Sequence, residues 1–220
     1  MTTPFRVLFV HGLESGPQGR KARALRDAGF EVFAEAMPCS QRSMLKEPTT
    51  IALFCVATLT MVLGIRMGLF GALAAVLLVL ASAPFCVRMT IARAFQKSVQ
   101  VQREALTKHA VDVVLGSSYG GAVALELLRL GAWRGPTVLL CPAHELVAKR
   151  IHRPLQRSTL RGDVCVVHGT RDQTVPIRDS RALVHESQAT LIEVDDDHRL
   201  SKSATPEHLA QWIGIAGIHA

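Results

Sequence analysis

Gly116-Ser117-Ser118-Tyr119-Gly120 is a G-x-S-x-G pentapeptide. It follows the apolar run VDVVL and opens the helix-forming stretch GAVALELLRL. That strand–turn–helix setting gives the motif its chemical meaning. The sharp turn holds the central serine in a strained backbone and exposes its hydroxyl at the carboxyl edge of a sheet. The flanking glycines let neighbouring chain pass without collision. The helix beginning beside Ser118 offers free N–H groups to a developing negative charge. Outside such a setting the same five residues would describe an ordinary Ser/Gly turn.

A serine hydroxyl is a weak nucleophile and needs a base, which in turn needs a carboxylate to orient it. Asp172 lies in HGTRDQTVP and His198 in EVDDDHRL, each directly after an apolar run that reads as a strand. Taken singly, Asp172 is a turn aspartate before Val-Pro and His198 a surface histidine beside an acidic run. Their chain order and their common position at strand ends are what assemble a Ser118–His198–Asp172 triad. Asp195 and Asp197 are alternative orienting carboxylates, with Asp172 preferred.

The elements that must position these residues follow from periodicity. Strands are expected at 5–10, 30–34, 111–115, 137–141, 164–167 and 190–194. A helix ending at Gly29 follows the first strand, and an amphipathic helix starts near residue 91. Further helices are expected at 121–130, 180–187 and 206–215, the last with Pro206 in its first turn. Residues 144–160 are basic and irregular or partly helical. Strands alternating with helices imply an α/β fold, a six-stranded, mostly parallel sheet with helices on both faces.

The chain resembles the α/β-hydrolases, and within them compact bacterial serine esterases and thioesterases. The resemblance rests on the G-x-S-x-G context, the order Ser118, Asp172, His198, and the segment FVHGLESGPQGRKARAL after the first strand. It covers residues 4–38 and 91–216. It implies an oxyanion hole made by the backbone N–H groups of Leu13 and Tyr119, with His11 shaping the loop. Two fixed donors aimed at a tetrahedral oxyanion contribute ~3 kcal/mol or more each. Two departures from the family pattern stand out. The first two strands of larger members are missing, and the cap that usually follows the fourth strand here shrinks to 144–160.

An apolar block interrupts the hydrolase pattern. Residues 49–65 and 67–87 carry no charge, and only Arg66 separates them. As helices they would reach ~25 Å and ~31 Å, against a hydrocarbon thickness of ~30 Å. A helical hairpin is therefore expected over 41–90, inserted into a discontinuous catalytic domain formed by 1–40 and 91–220. Arg42 and Lys46 before the hairpin and Arg88, Arg93 and Lys97 after it place the catalytic domain in the cytoplasm by the positive-inside rule, at the inner membrane if the source is bacterial. The competing reading is a pair of buried helices at a dimer interface. The insert leaves the sheet at the edge where Ser118 stands, and is expected to replace the missing cap.

Composition excludes other classes. The chain has 220 residues, a formal charge of +7 and 5% aromatic residues. Its Lys and Arg are scattered rather than clustered with aromatics, so no nucleic-acid partner is expected. The five cysteines show no C-x-x-C pair, and the nine histidines form no H-x-H or H-E-x-x-H pattern. Neither a metal nor an organic cofactor is expected. The N-terminal apolar run is too short for a signal peptide, so no export is expected. Together these features predict a membrane-associated serine hydrolase acting on a lipophilic ester or thioester, with membrane lipid contacted through residues 49–87. The alternatives are a non-catalytic hydrolase-fold membrane protein binding a hydrophobic ligand or partner, and a soluble esterase.

Overall fold

Short runs rich in Val and Leu form the strands β1 (Arg6–Val10), β2 (Glu31–Phe33), β3 (Val113–Ser117), β4 (Thr137–Leu140), β5 (Val164–Gly169) and β6 (Thr190–Val194). In this computed structural model, residues 5–13, 15–39, 48–155, 160, 163–185 and 187–217 are described. The strands make one sheet in the order β2-β1-β3-β4-β5-β6, and every pairing is parallel. β3, β4 and β5 are buried along their whole length, which is why they read as continuous apolar runs rather than alternating ones.

The sheet alternation divides the core. Leu8, Val10, Val114 and Leu139 face one side, with Phe95, Val123, Val147 and Leu183 from the helices. Val7, Phe9, Val113 and Leu115 face the other, against Leu25, Leu209 and Trp212. The first layer comprises α3 (Gly68–Lys108), α4 (Tyr119–Arg129), α5 (His144–Ile151) and α6 (Ile177–His185). The second comprises α1 (Arg20–Asp27) and α7 (Pro206–Ile215). Gly29 ends the α1 region with φ +89, a left-handed conformation that glycine adopts without steric cost. The strand order reverses between β1 and β3, and the loops leaving their carboxyl ends flank the crevice where open α/β sheets bind ligands.

The insert differs from expectation in one respect. α2 (Pro48–Arg66) is the first arm of the hairpin, but the second arm does not stop near residue 90. It runs on as α3, 41 residues long, so the amphipathic helix expected from residue 91 is the second half of the same rod. The physical reason lies in the residues between: 85–91 contain neither Gly nor Pro, and Pro84 is accommodated inside the helix. The expected boundary at 90/91 therefore falls within continuous helix. At 1.5 Å per residue the rod is about 60 Å long.

Gly64 and Gly68, which flank Arg66 at the hairpin tip, do different work. Gly68 takes φ +83 and reverses the chain. Gly64 lies against the second arm, where an added Cβ would meet Gly71 O at 2.7 Å and Ala75 Cβ at 2.5 Å. The small residues thus let the two arms touch backbone to backbone. Outside that seam the hairpin is apolar and bare: Phe70 is 87% and Leu69 74% exposed. α3 is long and apolar enough to cross a membrane, with an 18-residue window of mean hydropathy 2.3 of which only 6% is buried. A buried core helix would show the opposite. Arg42 and Lys46, used in the orientation argument, lie outside the described residues, as do Glu14 and 156–159.

Candidate active site

Ser118 sits between β3 and α4 with φ 55 and ψ −114. A non-glycine residue persists there only when its surroundings over-determine it. Its N–H donates to Leu140 O at 2.8 Å, and its carbonyl accepts from Gly121 N at 2.9 Å and Ala143 N at 3.0 Å. The motif glycines clear the space. A Cβ at Gly120 would collide with the Val10 and His11 carbonyls, and one at Gly116 would lie 2.7 Å from Gly120 O. Only with both glycines can α4 start this close to β1 and β3.

His198 and Asp172 meet Ser118. His198 Nε2 lies 2.9 Å from Ser118 Oγ, and His198 Nδ1 lies 2.6 Å from Asp172 Oδ2. Because a carboxylate only accepts, Nδ1 carries the proton and Nε2 is free to take one from the serine. Asp172 Oδ1 accepts from the Thr174 and Val175 N–H groups, each at 2.8 Å. Burial alone would raise the Asp172 carboxyl. The hydrogen bonds from His168, His198 and Val175 outweigh it and hold the group well below the usual carboxylate range.

The alternative carboxylates are engaged elsewhere. Asp195 is 83% exposed at its side chain and pairs with Arg171 at 2.9 Å. Asp197 bonds Ser201. Asp196 is buried and accepts the N–H groups of Asp197, Lys202 and Ser203, tying the loop that carries His198. Arg20 of α1 clamps the same loop through the carbonyls of Arg199, Leu200 and Ser201, at 2.9 to 3.0 Å.

Of the two expected oxyanion donors, Leu13 belongs to the turn after β1 and Tyr119 directly follows the serine. Leu13 is 46% exposed in the turn after β1. Its neighbour Gly12 approaches so closely that an added Cβ would be 3.4 Å from Ser118 Cβ. His11 Nδ1 donates to Gly12 O at 2.8 Å, and its Nε2 accepts from Met37 N at 3.4 Å, so both ring nitrogens serve the loop. The Tyr119 N–H is the first amide of α4, a position with no acceptor one turn earlier in the helix. The Tyr119 side chain is buried, donates to Ser98 Oγ on α3 at 3.1 Å, and meets Phe95 edge-on at 6.0 Å. Met37 and Cys39, where the chain departs toward the insert, belong to the same core cluster. The helix that continues the second arm of the apolar hairpin therefore touches the residue after Ser118 directly, through Ser98 and Phe95.

Several of these contacts are not apparent in the sequence. Lys21 reaches Ser117 Oγ at 2.9 Å, and burial brings its ammonium down to about 8. Its only sequence signal is a lysine within the otherwise apolar face of α1. Cys141, His168 and Asp172 place ligand-type atoms within 4.8 Å of one another. Both His168 nitrogens and both Asp172 oxygens are taken up by hydrogen bonds. Burial also pushes the Cys141 thiol up to about 12, so the cluster fits a hydrogen-bonded network rather than a cation.

No protein-family model matches the chain, and no curated protein sequence does. Solved structures do match. Alpha/beta hydrolase domain-containing protein 10 from mouse aligns with a TM-score of 0.60 at 14% identity, over 97% of this chain and 89% of that one. The monoacylglycerol lipase of Paleococcus ferrophilus aligns with a TM-score of 0.54 at 14% identity, over 97% and 95%. Est1E from Butyrivibrio proteoclasticus, with ferulic acid bound, aligns with a TM-score of 0.51 at 13% identity, over 97% and 90%. With its six parallel strands, helices on both faces and a long apolar insertion, the chain has the α/β-hydrolase fold.

Proposed function

We propose that this chain is a membrane-associated serine hydrolase that cleaves carboxylic esters or thioesters of lipophilic acyl groups. The observation that carries the proposal is the unbroken hydrogen-bonded series Ser118 Oγ, His198 and Asp172, at 2.9 Å and 2.6 Å. Ser118 Oγ attacks the acyl carbonyl while His198 Nε2 takes the serine proton. The carbonyl oxygen becomes an oxyanion held by the Leu13 and Tyr119 N–H groups. Collapse breaks the bond to the leaving alkoxide or thiolate, which receives the proton from His198. Water, deprotonated by the same imidazole, then releases the acid and restores Ser118. Asp172 stays ionised and stabilises the imidazolium.

Lipophilic substrate choice is supported by the bare apolar hairpin, whose second arm continues into the helix that contacts Tyr119. Exposed Arg88 and Arg93 follow the apolar span, whereas Arg66 stands alone at its tip, supporting a cytoplasmic catalytic domain. A purely binding role gives no reason for all three triad groups to be in hydrogen-bond register.

A fluorophosphonate probe is expected to label wild-type protein and not Ser118→Ala, with ester hydrolysis lost in parallel. Full activity in Ser118→Ala would overturn the reading. Membranes washed with carbonate at high pH are expected to retain the chain until detergent is added; release by carbonate alone would point to a soluble esterase.

A further inference from the structure

His168 is fully buried at the end of β5, four residues before Asp172 and outside the expected triad. Its Nε2 lies 3.0 Å from Val175 O and 3.2 Å from Asp172 Oδ2, and its Nδ1 lies 2.7 Å from Ser180 Oγ. A carbonyl oxygen can only accept, so Nε2 carries a proton. That N–H donates to Val175 O, and the same nitrogen sits beside Asp172 Oδ2, the oxygen that orients His198. Ser180, also fully buried, completes the ring's bonding from α6. A core histidine needed only for packing would have no reason to stand 3.2 Å from the one carboxylate oxygen that serves the base.

We propose that His168 is a positioning residue that fixes the Asp172 carboxylate and draws charge from its Oδ2, setting how readily His198 holds a proton. The inference rests on the hydrolase reading above. His198 Nδ1 bonds one carboxylate oxygen with His168 Nε2 3.2 Å from it, while the Thr174 and Val175 amides hold the other. The carboxylate cannot rotate without losing a buried partner. With part of its charge neutralised by His168, it stabilises the His198 imidazolium less than an unshared carboxylate would. The other ionisable groups around this cluster are Cys141 just after β4, Lys21 from α1, Glu193 from β6 beside His168, and Asp196 and Asp197 from the His198 loop. The thiol is held neutral by burial. The remaining four stay unchanged in the variants below.

The test compares His168→Gln, whose amide keeps an N–H donor near the Nε2 position, with His168→Leu, which keeps bulk but no donor. The pH dependence of kcat/KM for an activated ester and the His198 ring titration by NMR are followed for wild type and both variants. His168→Leu is expected to move the acid limb and the ring midpoint to higher pH by about half a unit or more, and to lower kcat about 10-fold. His168→Gln is expected to restore both toward wild type. Unmoved midpoints in a folded His168→Leu protein, or identical shifts in both variants, would overturn the proposal. If wild type shows no Ser118-dependent turnover, the hydrolase reading fails, yet the ring titration still decides whether His168 acts on His198.

Discussion

Tyr119 Oη donates to Ser98 Oγ at 3.1 Å, joining the residue after Ser118 to the long helix that continues into the apolar hairpin. The contact is buried on both sides, with Ser98 fully enclosed and its own hydroxyl directed to Ala94 O at 2.8 Å. Burial also pushes the Tyr119 phenol far above its ordinary value, so it remains a neutral donor. Tyr119→Phe keeps the aromatic packing and removes one hydrogen bond, leaving Ser98 Oγ without that donor. The expected cost is about 1 kcal/mol in stability. If the bond also steadies the Tyr119 N–H, kcat falls several-fold while KM barely moves. Chemical denaturation and steady-state kinetics on the same samples separate the two effects.

Asp172→Asn is expected to leave the fold intact and reduce kcat by about 10³-fold or more, because an amide can present the wrong hydrogen-bonding partner to His198 Nδ1. Labelling by fluorophosphonate should slow in proportion, which distinguishes lost nucleophile activation from lost substrate binding.

The same carboxylate gives the protein an acid-sensitive term. Its folded value lies below that of the unfolded chain, ~3.9 for a free aspartate. The folded state therefore binds fewer protons, and the contribution is fully present above that unfolded value. It is lost as pH falls from there toward the folded value. Thermal unfolding between pH 7 and pH 3 should show a steeper loss of Tm in wild type than in Asp172→Asn. Equal slopes would mean that Asp172 carries no such linkage.

Gly120→Ala should be severely destabilising, since the new methyl would collide with the Val10 and His11 carbonyls, which are backbone atoms of β1 and its loop. A loss of more than about 4 kcal/mol, or failure to accumulate folded protein, is expected. The same substitution at Gly16, where an added Cβ has nothing within 4 Å, serves as the control. Circular dichroism and thermal melts read the difference.

Gly71→Leu should separate the arms of the hairpin, because an added Cβ there already meets Gly64 O and Met67 Cβ at 2.5 Å. Membrane retention against a carbonate wash is expected to weaken, while cleavage of a short water-soluble ester changes less than about 2-fold. Loss of both together would indicate that the catalytic domain depends on the hairpin for folding.

The parallel sheet, the strand ends bearing Asp172 and His198, and the elbow at Ser118 were legible because they rest on local chemistry. Continuous Val and Leu runs make buried strands, and glycines two residues either side of Ser118 are a steric requirement of one turn. The apolar hairpin was legible as composition and length. Other features depend on residues distant in sequence. The sequence preferred Asp172 over Asp195 and Asp197, but the bond from His198 to Asp172 and the engagement of Asp195 with Arg171 and of Asp197 with Ser201 emerge only in three dimensions. Clamping of the His198 loop by Arg20 spans about 180 residues of chain. His168 on Asp172 and Tyr119 on Ser98 depend on which side chains the sheet and the long helix bring together. Sequence alone thus determined the fold class and singled out Ser118, Asp172 and His198 as candidates, because periodicity and turn sterics act locally. Tertiary packing decided the partners of those groups, because hydrogen bonds between buried side chains exist only once the layers have closed.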